Sequence, residues 1–514
     1  MPYRSFDQTL RLEEPYNEDR ATAVRAAPVL RHDLTQATVF YLDSWRKQCI
    51  PGLHKAFQQL ESHPGPTILT DIKLALSACR LSRSLPQRKI SSPSAVAGLC
   101  FRPDAGHESI SHAHYGAVMR KMAGWTRGDF DLDPSLGLVV LVLFCHLESS
   151  MGNFREFRIH SGGTRRLIQV YSDWVVRRGV GLLAAWVEVE MQNWWRRVYF
   201  STPDFHRDHG SLSLPYPLES VLSTGVHPRA AVLLILCESH RLSNAAIISA
   251  WDIWGGEDFS SADNTSLLGT TRARNYGGGL SVGDYAALLS VQAAKLDSWL
   301  RLLPASDLPR EWQVAEGNLL PDGNDLDILP LRFNSHASAM NFAYYLTARV
   351  MQCTDPLESL GFPPRTDPDF DHGEEVEAWI SLVLRVAAGI DWRDCPRLNV
   401  FTVGLASLLL SCALRSRRPA TGIWIQTWLE QRLLVGNDFE EGNFPVFQVL
   451  ETVRLVNRER AGGMDVFALF QTVDEGGGGG KLGSYHSQSL VSLCVYGRRR
   501  ATGGLCVYRR TLFG

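Results

Sequence analysis

The sequence predicts an all-α fold, an irregular multi-helix bundle of packed helical hairpins with a low-complexity C-terminal tail. Three observations carry that prediction. Apolar residues recur mainly at three- and four-residue spacing, the helical period. The body of the chain holds no alternating strand pattern bounded by hairpin signals such as Asn-Gly. No fixed-period repeat indicates a solenoid.

The helices follow in order. Residues 38–60 place Phe40, Tyr41, Trp45 and Cys49, then Leu53 and Phe57, at helical spacing, with Pro51 expected to kink or split the run. Residues 67–85 offer Ile68, Ile72, Leu76, Cys79 and Leu81, and residues 112–125 align Tyr115, Met119, Met122 and Trp125. The pattern continues at 135–149, 154–171, 182–200, 230–250, 285–303, 335–353, 374–388, 397–415, 423–435 and 445–460. Between them, 255–283 reads as a mobile surface insertion around Gly277 to Gly279, and 304–334 and 354–373 as polar connectors. Residues 1–27 read as a disordered lead and 28–470 as the helical body. After the Gly run at 476–480 the chain repeats Leu-Cys-Val-Tyr at Leu493 and Leu505, each followed by arginines. No helical pattern ties this part to the body. The reading of 471–514 is a Gly-rich linker and a disordered or misassigned tail, in preference to a strand pair.

Composition narrows the function. Hydrophobic residues make up 45% and charged residues 21% of 514, ordinary for a globular protein. A net charge of −2 and a pI near 6.7 give no general attraction to nucleic acid. The ten cysteines form no CxxC pair, which argues against a structural zinc site and for thiols used as core residues in a reducing compartment. Apolar runs at 136–145 and 398–414 are too short or too polar to span a bilayer and read as buried helices.

Chemical motifs fail on inspection. The run at 475–482 has Glu475 and Leu482 where a phosphate loop needs Gly and Ser or Thr. Asp367, Asp369 and Asp371 open like a calcium loop, but His372 and Ala378 occupy the positions that need Gly and Glu. Asp204, His206, Asp208 and His209 read as a surface loop, and His112 and His114 stand too close in sequence to share a helical face. No nucleophile elbow, zinc-protease or dinucleotide motif is present. The reading is no enzyme, no cofactor and no metal. An enzymatic alternative would require His160, Glu148 and Arg165 to converge.

The informative stretch is FREFRIHSGGTRRLIQVY at 154–171. Each interior glycine costs a helix about 1 kcal/mol relative to Ala, so Gly162 and Gly163 suggest close approach of another backbone, the preceding apolar helix being the natural neighbour. Ile159, Gly163, Leu167 and Val170 would form the packed stripe, with His160 beside it.

His160, Gly163, Thr164, Leu167 and Ile168 also follow a His-x-x-Gly-Ala-x-x-Leu-Ile pattern, with Thr164 in place of Ala and Gly162 at an unspecified position within it. This resembles the regulatory domain of fungal zinc-cluster transcription factors. TVFYLDSW, DIKLALSACRLSR, SHAHYGAVMRKM, FNSHASAMNFAYYLTARV, RLNVFTVGLASLLLSCALRS and the segment at 440–469 resemble other helices of that domain in the same order, over about 28–469. The resemblance implies regulation of transcription by RNA polymerase II in the nucleus. It also implies contacts with protein partners of the transcription machinery or a DNA-binding subunit, a small-molecule effector, and homo-oligomer formation. Membrane partners are not expected. Six clustered cysteines read DNA in such factors, and this sequence has no such cluster, so DNA binding is not carried over. The alternative is a fragment of a full zinc-cluster factor. Tryptophans 194, 195, 251, 254, 299 and 392 are candidates to line an effector pocket.

Overall fold

The computed structural model describes residues 31–61, 67–84, 87–90, 99–208, 210–254, 257–258, 282–314, 328–354, 357, 360, 372–435, 440–442, 444–471 and 492–512. The lead at 1–27, nearly all of the insertion at 255–283, the acidic turn at 367–371 and the Gly run at 476–480 lie outside these residues.

The helical expectation holds along the body, and local chemistry sets the boundaries. Helix α1 (Arg31–Ser44) runs into a π-helical turn at Trp45–Cys49, and a 3-10 helix at Lys55–Glu61 follows Pro51. Helix α2 (Thr67–Ser84) is followed by a short hairpin of β1 (Gln87–Ile90) and β2 (Leu99–Arg102). Helix α3 (Ala105–Ala123) begins earlier than its apolar pattern because Asp104 accepts from the amide of His107. A capping box of Thr126 and Asp129 opens α4 (Arg127–Leu132).

Helix α5 (Pro134–Met151) starts with Asp133 as cap and Pro134 in its first turn, and stops at Gly152, whose φ is 76°. Asn153 then caps α6 (Phe154–Val170), completing the expected hairpin. Next come α7 (Ser172–Trp174), α8 (Val180–Phe200), α9 (Pro203–Asp208), α10 (Tyr216–Leu222) and α11 (Pro228–Trp254). After β3 (Glu257–Asp258) lie α12 (Val282–Leu302), α13 (Arg310–Val314), α14 (His336–Gln352) and α15 (His372–Gly389).

The run expected as one helix at 397–415 divides into α16 (Asp394–Leu398) and α17 (Leu405–Arg415). Glu441 explains the break. Its carboxylate, delivered by a tight hairpin of β4 (Glu440–Glu441) and β5 (Phe444–Pro445), accepts from the amides of Leu405 and Ala406, each at 2.7 Å, and from Asn399 Nδ2 at 2.7 Å. A remote acid therefore caps the positive end of α17. Helices α18 (Pro419–Val435) and α19 (Val446–Ala461) complete the helical body.

Helices α5, α8, α11, α14 and α17 form the centre. Trp186, Trp195, Phe144, Tyr344 and Phe401 are fully buried there. Helix α5 and Pro228–Asp252 of α11 are long and apolar enough to cross a membrane; 72% and 89% of those stretches are buried inside the fold.

The tail corrects the sequence reading. Strands β6 (Met464–Gln471), β7 (Ser492–Arg499) and β8 (Leu505–Thr511) form a sheet with β3 in the order β3-β8-β7-β6, and all its pairs except β3 with β8 are antiparallel. The repeated Leu-Cys-Val-Tyr segments become neighbouring strands, with Tyr496 opposite Val507. Tyr496 packs with Phe467, Phe470 and Trp251 in a second apolar cluster under the sheet. An alternating pattern too short to stand alone is stabilised by that tertiary burial.

Candidate functional site

The candidate site is a groove of about 380 Å³ between α10, α11 and α12. Helix α12 creates it by carrying two apolar stripes. Tyr285, Leu289, Leu296 and Trp299 are buried at helical spacing, whereas Leu288, Val291 and Leu302 remain exposed. Val291, Ala294, Ser298 and Leu302 face Ala231, Leu234 and Ile235 of α11 across the groove. At its base Trp299 donates to the carbonyl of Pro228 at 2.8 Å and stacks on Tyr345, with ring centroids 5.8 Å apart. Gly225 turns the chain between α10 and α11 with φ +82°, in the region that favours glycine, and a Cβ there would stand 3.4 Å from Leu302.

Polar groups fix the edges. Lys295 of α12 pairs with Glu219 of α10 at 2.5 Å. Glu238 of α11 accepts from Ser211 and the amide of Leu212, each at 3.0 Å, and pairs with Arg241 at 2.7 Å. Burial alone would raise the Glu238 carboxyl, but Arg241 and these donors outweigh it and hold the group below its ordinary value. A mainly apolar cleft with a few fixed polar groups has the size and character that small organic ligands occupy.

The residues singled out from sequence lie elsewhere. His160 and Glu148 do meet across the α5–α6 hairpin, Nε2 to Oε1 at 3.8 Å, and the hydroxyl of Tyr115 stands 3.1 Å from the same nitrogen. His160 stacks on Phe144 at 4.6 Å and is 6% exposed; Glu148 is 1% exposed. Burial pushes Glu148 up to about 7 and His160 down to about 4. The separation is that of an ion pair, yet desolvation dominates both partners, so the imidazole is neutral at pH 7. Arg165 does not join them; its guanidinium turns outward to Glu190 at 3.8 Å.

The Gly pair is also corrected. A Cβ on Gly162 or Gly163 would meet nothing within 4 Å, so no backbone approaches there. The packed face of α6 is Phe154, Phe157, His160, Ser161, Thr164 and Ile168, while Ile159 and Val170 of the expected stripe are exposed and Leu167 is half-buried.

Of the tryptophan candidates, Trp299 lines the groove, whereas Trp194, Trp195, Trp251 and Trp392 are core residues. Trp254 is placed only as the last residue of α11. His206, read as surface loop, is buried on α9 against Phe470, and His112 and His114 lie on α3, with His114 Nδ1 3.1 Å from Asp71. His209 lies outside the described residues. Among the described residues no three His, Cys, Asp or Glu side chains gather as metal ligands.

Sequence reading missed Glu219, Glu238 and Lys295. The available signal was the second, unpartnered apolar stripe on α12. Comparison with protein-family models, curated proteins and solved structures finds no match.

Proposed function

We propose that this chain is the regulatory domain of a transcription regulator resembling the fungal zinc-cluster factors. It acts in the nucleus on transcription by RNA polymerase II through an effector and protein partners, with no DNA reader among the residues given. The resemblance in motif order supports the family reading. The groove between α10, α11 and α12 carries the mechanistic part: about 380 Å³ suits a small organic effector. Such a ligand would bridge α12 to the central helix α11 and bias the surface that partners read.

The full chain tethered to a heterologous DNA-binding module should change reporter transcription in yeast. Ala294→Trp, which fills the groove from an exposed position of α12, should remove that change while leaving the melting temperature within about 2 °C. A tethered chain that leaves reporter output at the level of the module alone would count against transcriptional regulation. Equal output from wild type and Ala294→Trp would remove the groove from the mechanism.

A further inference from the structure

Helix α6 turns a second face to solvent, and that face is basic. Arg155, Arg158, Arg165 and Arg166 are all exposed, against one half-buried acid of the helix, Glu156, in a chain whose net charge is −2. Arg165 shares Glu190 at 3.8 Å, whereas Arg155 and Arg166 have no carboxylate partner among the described residues. Asp131 of α4, which accepts from Tyr171 just beyond the helix, is already paired with Arg127 at 3.8 Å. Helix stability does not account for the pattern, because a cation in the first turn, as Arg155 is, opposes the helix dipole.

Helical spacing orders this face. Arg155, Gly162 and Arg166 fall on one line, with Arg158 and Arg165 along one flank and Ile159, Gly163 and Val170 along the other. The two arginine pairs stand about 14 Å apart along the axis. Between them lie the glycines, with open space where a Cβ would stand. Ile159 is 52% and Val170 59% exposed. The result is a shallow saddle, charged at both ends and apolar along one edge.

We propose that this face docks an acidic amphipathic helix of a partner protein. Carboxylates about two and a half turns apart on that helix would meet the two arginine pairs, whose planar guanidinium groups bind carboxylates bidentately. The apolar stripe of the partner would cover Ile159 and Val170, and the glycines let the two helix axes approach to about 8 Å, the close end of the packing range. A nucleic-acid backbone would match the arginines but leave Ile159 and Val170 uncovered. The face shares no residue with the groove between α10, α11 and α12, and the inference does not rest on the transcriptional reading.

The probe is a fluorescein-labelled synthetic helix of about 18 residues, built of Ala and Leu with two Glu pairs about 14 Å apart, titrated with the purified full chain and followed by anisotropy. Saturable binding with a dissociation constant below about 100 μM is expected, at least about tenfold tighter than for the same peptide with Lys in place of Glu. Arg155→Glu combined with Arg166→Glu should weaken binding about tenfold or more. Gly162→Leu should do the same by filling the saddle, with a melting temperature at or above that of the unmodified chain, since its side chain enters open space. No binding of the Glu peptide, or equal binding of the Lys peptide, overturns the proposal. Full affinity in Gly162→Leu also overturns it, by reducing the contact to undirected charge attraction. So does tighter binding of a mixed-sequence DNA duplex, which would assign the face to nucleic acid. The arginine variant alters exposed side chains only, so its result stands whether or not Gly162→Leu folds.

Discussion

A carboxyl buried beside a neutral histidine makes stability depend on pH. Glu148 titrates at about 7 in the folded protein against an ordinary value of 4.5, and its shift is caused first by burial. The folded state therefore holds a proton that the unfolded chain releases, and the stabilisation, complete below pH 4.5, is lost as pH rises through 7. His160 acts with the opposite sign. Its folded value, about 4 against 6.5, removes stability as pH falls from 6.5 through 4. Tyr115 and Glu156 also act on Glu148, the first by hydrogen bonding and the second by its charge. Replacing Glu148 by Gln keeps the shape and removes only the acid. The variant should gain on wild type by on the order of 2–3 kcal/mol between pH 5 and pH 8, measured by denaturant unfolding. A difference independent of pH would mean that Glu148 is not protonated in the fold.

At the scale of the element, α6 decides why Gly162 and Gly163 are where they are. Both lie on the side of the helix away from its packed face, with open space beyond the position of a Cβ. Each therefore carries the helical cost of glycine with no close contact to require it. Gly162→Ala and Gly163→Ala should each stabilise the protein by about 0.5–1 kcal/mol in thermal or denaturant unfolding. Loss of stability in either would show that a partner or a rearranged backbone does approach. The apolar period was enough to find α5 and α6 and the turn at Gly152, because local capping and burial agree there. It could not orient α6. Ile159 and Val170 fit a stripe as well as Phe157 and Ile168 do, and the choice was made by where α5 and α8 already stood. The break between α16 and α17 was hidden for a similar reason. Its cause, Glu441, lies 36 residues beyond Leu405 in the chain.

At the scale of the whole molecule, the groove was the least legible feature, since a cleft exists only once three helices have docked. The helical body was legible because its faces repeat within each segment. The C-terminal sheet was not, because its strands acquire meaning only from partners: Leu493, Val495, Tyr496, Cys506 and Leu512 are buried by contacts that no local pattern records. The charges agree with that placement. Arg498 and Arg500 pair with Asp465 on β6, and Tyr508 and Arg510 bond to Glu459 on α19. Trp251 of α11 donates to the carbonyl of Cys506. Ending the chain at residue 475 should remove on the order of 5–10 kcal/mol of apolar burial, comparable to the whole stability of a typical domain. It would also leave β6 as an exposed edge beside an uncovered Phe467 and Phe470. The shortened chain should melt well below the full one by calorimetry and elute as self-associated species on size exclusion. A shortened chain with unchanged melting temperature and a monodisperse profile would mean that the strands contribute nothing to the fold, and would restore the reading of this region as a dispensable tail.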